Sequence, residues 1–416
     1  MIERPTDSGK SIGMPIGFGT CFAILFTLLM SLNSCSSRSA LTPDWEQFPS
    51  HTSSNEQAHL QLLKLVTDSQ GNLLSTGTTQ NAFGKRNRML FVHKQTPDGA
   101  QLWSITIDIP DDEETVTDIL TDDEDSIYLA GKNLNQNFLV KLSRQGKQEW
   151  LNQFGTAKSA NICRLSDQIV VGSDSIRIFD ESGEIKSEFS QNTPATTVNC
   201  LADGTLLTTS ATAIERYDSN GKRLWKTDAP QNTSQMIRSI ELSGNRYALA
   251  FWIPAENSLQ VWSLDQQGII SWQQKFNISM KNRAMKSAPL LLKTKDEQLV
   301  VTISDRYSSF IAKISHNDGR ALWQEQHNRT DLLKAAVIDD GGNIFLFGGS
   351  QTQMLNSDGE LVEERRLPGS APFITGDMAL GKDGLFVANS VNQANQSLKI
   401  YTARYPLLAS NFTPSI

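Results

Sequence analysis

Cysteine is scarce in this sequence, and histidine nearly so. Four cysteines (Cys21, Cys35, Cys163 and Cys200) among 416 residues exclude a small scaffold framed by disulfides. The five histidines, His51, His59, His93, His316 and His327, are scattered without a His-x-x-x-His spacing, so no zinc layout is legible. Apolar positions at a 3.6-residue period are almost missing, which argues against a helix-built fold. Basic residues are outnumbered, 38 Lys and Arg against 45 Asp and Glu for a net charge of −7. A nucleic-acid partner is therefore not expected, because binding phosphates needs clustered cations. Gly-x-Ser-x-Gly, His-Glu-x-x-His, phosphate-loop and dinucleotide signatures are all missing, so no catalytic residue, metal or cofactor is expected.

What the sequence does have is a repeat with a period near 40 residues. A turn followed by tryptophan recurs, with Trp four residues after Gly at Trp103, Trp150, Trp225, Trp272 and Trp323. Two weaker copies keep the glycine: Gly183, with Ser187 at the Trp place, and Gly359, with Glu363 there. The glycines suit the positive φ of a tight hairpin, and the Trp offers a flat surface to a neighbouring unit. A second element alternates with this one: an apolar strand, an Asp/Gly/Asn turn and another apolar strand, as at 63–76, 118–130, 199–208, 336–347 and 379–387. Counting copies near 163–172, 240–250 and 292–303, there are eight. A third strand lies between the two elements, at 90–94, 138–142, 176–179, 214–217, 259–262, 310–314, 353–355 and 398–401. Eight units of four short strands predict an all-β, eight-bladed β-propeller over 44–406.

The eighth unit has three strands and no Gly-x-x-x-Trp strand after them. The segment Asp44-Trp45-Glu46-Gln47-Phe48 is similar to Glu149–Phe154, so residues 44–48 are expected to be the outer strand of the last blade, with Trp45 in the docking set. A ring closed by both chain ends leaves no end repeat uncovered.

The first residues differ from the rest. Arg4 and Lys10 precede the apolar run 22–30, and small residues lead up to Cys35. That run is too short to span a bilayer comfortably, and the layout is that of a secretory signal peptide. Leu32-Asn33-Ser34-Cys35 resembles the bacterial lipobox. The resemblance implies a signal peptide at 1–34 and a lipid anchor on Cys35, and Ser36 at the next position implies sorting to the outer membrane. A lipidated tether at 35–43 and a C-terminal tail at 407–416 complete the expected organisation.

The repeats resemble the propeller repeat named for pyrroloquinoline quinone, with its tryptophan-docking strand. They also resemble the bacterial repeat Asp-x-x-Gly-Asn-x-Tyr…Lys-x-x-x-x-Gly-x-x-x-Trp, matched here by Asp68, Gly71, Asn72, Lys94, Gly99 and Trp103. A lipoprotein built from such repeats is similar to the propeller subunits of the β-barrel outer-membrane assembly machinery. This implies a non-enzymatic scaffold at the periplasmic face of the outer membrane. It would bind other envelope proteins, as a monomer within a complex. The competing reading is a periplasmic ligand-binding or enzymatic propeller. Quinone-dependent dehydrogenases share the repeat, but their family typically carries a vicinal Cys–Cys pair, which this chain lacks.

Three further features bear on function. Aligning the first strands puts Leu65, Ile119, Cys163, Cys200, Ile240, Leu292, Val337 and Met378 at one position. This reads as core between blades, and equivalent side chains point the same way round a ring. Cys163 and Cys200 are therefore expected to enter successive interfaces as small hydrophobes rather than to bond. The nine carboxylates between Asp111 and Asp125 could suggest a calcium loop, but a propeller puts Asp111–Glu114 and Asp122–Asp125 on opposite faces, where Asp favours turns. Finally, two basic patches, Lys85, Arg86 and Arg88, and Lys281, Arg283 and Lys286, fall in loops that open on one face. That face is the candidate for partner binding.

Overall fold

A computed structural model describes residues 41–49, 59–80, 88–111, 113–156, 160–191, 194–195, 197–233, 237–279, 287–328, 331–368, 375–382, 384–392 and 398–407. The signal segment and Cys35 lie outside the described residues. The strands form eight separate four-stranded antiparallel sheets. Blade 1 runs His59–Thr67, Leu73–Gln80, Arg88–Gln95, Gln101–Ile107, from inner to outer strand, and blades 2 to 7 repeat that order. The inner strands pack in sequence round the ring, and that of blade 8 (Gly376–Leu380) meets that of blade 1.

Residue pattern and position agree along each blade. Second and third strands are buried on both faces, as in Ile127–Lys132 and Ser175–Phe179, and they are correspondingly rich in Val, Ile, Leu and Phe. Outer strands alternate instead, as in Arg223–Asp228 and Leu361–Arg366, because one face covers the next blade and the other meets water. Trp252 and Trp262, outside the docking set, are buried in blade 5.

The ring closes as the sequence predicts. Trp45–Gln47 pairs antiparallel with Leu398–Pro406, with Trp45 opposite Arg404 and Gln47 opposite Thr402. Leu41, just ahead of that strand, is buried in the core shared by blades 7 and 8. Its N–H donates to Glu363 at 3.1 Å, and its carbonyl accepts from Arg365 at 2.9 Å.

The cysteine expectation is corrected. Cys163 and Cys200 form a disulfide between the inner strands of blades 3 and 4. Pointing the same way round the ring does not keep equivalent side chains apart where the inner strands converge. There the two Cα atoms are 5.6 Å apart, inside the span a disulfide bridges.

Candidate partner-binding face

The seams between blades decide which side chains remain for a partner. Each third strand runs down to a hairpin whose outer strand carries the docking residue. The indole N–H of Trp150 donates to the Glu181 carbonyl of blade 3 at 3.0 Å, and that of Trp225 to Gln266 of blade 5 at 2.9 Å. Trp272 bonds the His316 carbonyl at 3.1 Å, Trp323 that of Ser357 at 3.0 Å, and Trp45 that of Pro97 at 2.9 Å. Trp103 lies against Gly146 of blade 2. A cation from the third strand approaches the same carbonyl in some seams: Arg216 donates to Gln266 at 3.0 Å and Lys141 to Glu181 at 3.5 Å. The Lys-to-Gly-to-Trp spacing thus has a physical reason, since both donors meet on the neighbouring hairpin.

The hairpin glycines complete the dock. Gly319 has φ +75°, and a Cβ there would come within 2.5 Å of the Trp272 ring. Gly204 has a similar φ of +81° with nothing within 4 Å. Gly319→Ala is therefore expected to lower stability by about 2–3 kcal/mol, and Gly204→Ala, which meets backbone strain alone, by about 1 kcal/mol. Urea midpoints would check this; equal losses would mean that Gly319 is not selected by its tryptophan.

The acidic stretch is absorbed into the same framework. Asp122 accepts the N–H groups of Glu124 and Ser126 at 3.0 and 2.8 Å, closing its own hairpin. Asp125 takes the N–H and hydroxyl of Ser69 in blade 1 at 2.8 and 2.9 Å. Asp123 pairs with Arg164 of blade 3 at 2.7 Å. Glu114, at the far end of the strand Thr115–Thr121, is buried and accepts the Ile109 N–H at 3.1 Å. Asp122, Asp123 and Asp125 are thus engaged in the turn itself and in its two seams. Among the described residues no group of three His, Cys, Asp or Glu is placed to hold a metal ion.

The inner strands hold charges that the sequence reading passed over. Asp118 accepts from the Ile162 N–H of blade 3 at 3.0 Å, and Asp377 from the Leu65 N–H of blade 1 at 3.1 Å. Burial pushes both carboxyls above their ordinary range, against the opposing pull of Lys64. Burial also lowers the Arg238 guanidinium, which Asp118 partly offsets. The available signal was a charged residue one place before the aligned core position, as in Lys64-Leu65, Asp118-Ile119 and Asp377-Met378.

On the candidate face, Arg88 begins a strand and is half-buried. Lys85, Arg86, Lys281, Arg283 and Lys286 lie outside the described residues. The described residues flanking the first patch belong to blade 1, and those flanking the second end blade 5 and begin blade 6. The same face presents Leu134, in the loop between Ile127–Lys132 and Asn137–Leu142, and Tyr307, in the corresponding loop of blade 6. Both are more than half exposed, at 56% and 53%. The 3₁₀ turn Pro254–Glu256 occupies the corresponding loop of blade 5. No helix among the described residues is long and apolar enough to cross a membrane.

Comparison with known proteins fits this geometry. Residues 172–393 match the sequence profile of outer membrane protein assembly factor BamB. The fold is similar to the crystal structure of BamB from Moraxella catarrhalis, with a TM-score of 0.58 and 14% identity over 88% of this chain and 99% of that one. It is also similar to the Dos1 propeller, with a TM-score of 0.50 and 11% identity over 71% of this chain and 84% of that one. No curated protein matches the sequence.

Proposed function

This chain belongs to the family of outer membrane protein assembly factor BamB, and we propose that it is a non-enzymatic, protein-binding scaffold in outer-membrane assembly. The observation that carries the reading is the family match lying on a ring closed by its own N-terminal strand. In that ring, many of the conspicuous charged and aromatic residues serve the seams. Partner recognition then falls to surface loops, and the face bearing Arg88, Leu134 and Tyr307 is the proposed contact surface. Lipid on Cys35 would hold the ring at the periplasmic side of the outer membrane. Anchoring of this kind draws its strength from the buried acyl carbons.

Two experiments test the proposal. Cross-linking in native envelopes followed by mass spectrometry is expected to join the loops at 133–136 and 305–307 to outer-membrane assembly proteins. Recovery of no protein partner, together with turnover of a small molecule by the purified chain, would favour the enzymatic propeller instead. Cys35→Ala is expected to move the protein from the membrane to the soluble periplasmic fraction. Unchanged membrane retention would remove the lipid anchor from the proposal and leave the scaffold reading standing.

A further inference from the structure

The described seams differ in how they are fastened. From blade 8 through blade 1 to blade 3, and again from blade 4 to blade 7, a tryptophan docks on the next hairpin. Two seams have another residue at that place: Ser187 between blades 3 and 4, and Glu363 between blades 7 and 8. The second is tied by the chain end, through Leu41 and Arg365. The first has Phe189, two residues further along the strand, against Gly221; a Cβ on that glycine would lie 2.4 Å from the ring. Phe189 covers the hairpin and packs on Tyr217 with ring centroids 4.9 Å apart, but a phenyl ring has no N–H with which to hold the hairpin carbonyl.

That same seam is the one the disulfide crosses. Cys163 and Cys200 pack into a core made of residues from blades 3 and 4, with Phe189 in the same cluster. We infer that the Cys163–Cys200 bond stands in for the missing tryptophan dock, fastening the blade 3–4 seam from the inside where other seams are fastened from the rim. Its 37-residue separation spans about one blade, so the cross-link restricts the unfolded chain over one repeat. The integrity of this seam therefore follows the thiol–disulfide balance of the compartment, whereas the tryptophan-docked seams are indifferent to it.

Thermal unfolding of the full chain tests this with two sets of substitutions. Cys163→Ala with Cys200→Ala is expected to lower Tm by about 5 °C. Ser187→Trp with Phe189→Thr copies the Trp225 and Thr227 pair of blade 4. In the double alanine chain it is expected to recover about half of that loss, and in the disulfide-bonded chain to add little, because both devices act on one seam. An equal gain in both backgrounds would overturn the inference, as would an unchanged Tm for the double alanine variant.

A second measurement needs no variant to fold. Reduction of the native chain with a dithiol is expected to raise amide exchange at 161–165, 197–200 and the 218–222 hairpin. The 143–147 hairpin at the seam of blades 1 and 2 should be unaffected. Unchanged or uniform exchange contradicts the inference, and so does finding both cysteines alkylated before reduction.

Discussion

Removing residues 41–48 is expected to open the ring and cost about 5 kcal/mol or more, a large share of what holds a typical domain folded. Leu41 is fully buried, and burying such a side chain contributes about 1.5–3 kcal/mol. Trp45 adds its packing against Phe386 and its bond to Pro97, and the strand adds its pairing with Leu398–Pro406. Glu46 accepts from the Tyr401 hydroxyl at 2.9 Å and pairs with Arg365 at 3.0 Å, although an ion pair this exposed contributes about 1 kcal/mol at most. Without the strand, the third strand of blade 8 becomes a bare edge, which invites pairing with another chain. The truncated chain should show a lower denaturant midpoint, early proteolysis in blade 8 and a tendency to self-associate.

Point substitutions divide that loss. Trp45→Phe keeps a ring at the seam and loses the N–H donor, at about 1 kcal/mol. Trp45→Ala loses both, at about 3 kcal/mol. A truncated chain with the parental midpoint and a monomeric elution would show that the N-terminal strand decorates the ring without closing it.

The architecture was readable because a propeller repeats its physics as well as its sequence. Each hairpin needs a left-handed residue and each rim a flat docking surface, so Gly and Trp recur at fixed spacing. The strand at Trp45 could be assigned because it resembles Glu149–Phe154, the docking strand of another blade. The disulfide escaped the same logic. Alignment showed that Cys163 and Cys200 occupy equivalent positions, but not how narrow the wedge between adjacent inner strands becomes. Lys64, Asp118, Arg238 and Asp377 escaped for a related reason. Counted along the chain they lie far apart, and only the closed ring brings their charges within reach of one another. Of the basic patches, Arg88 alone falls among the described residues, at the start of the third strand of blade 1. A partner surface leaves a weaker trace than a seam, because it need not repeat from blade to blade.

Lys94→Met is expected to cost about 3–5 kcal/mol at neutral pH, more than most surface changes. Lys94 lies 2.7 Å from Asp68, with both side chains almost fully buried. Burial works against ionisation of Asp68. Lys94 and the side chain and backbone N–H of Asn72 outweigh it and hold the carboxyl below its ordinary range. Because the folded value is depressed, this contribution is complete above the unfolded carboxylate pKa of about 3.9 and fades as the pH falls through the folded value. Removing the ammonium leaves a buried carboxylate without its counter-charge, and that carboxyl must then bind a proton more readily than in the parent. The deficit of the Lys94→Met chain should accordingly be largest near pH 7 and shrink toward pH 3. Adding Asp68→Asn should restore part of the loss, since the uncompensated charge is gone while an acceptor remains for the Asn72 backbone N–H. Denaturant midpoints of the three chains at the two pH values would check it. A deficit that is independent of pH and not relieved by Asp68→Asn would mean that Lys94 acts by packing its stem and by its 3.4 Å bond to the Arg144 carbonyl of blade 2, and the Asp-to-Lys element of the repeat would then owe its recurrence to the seam rather than to the ion pair.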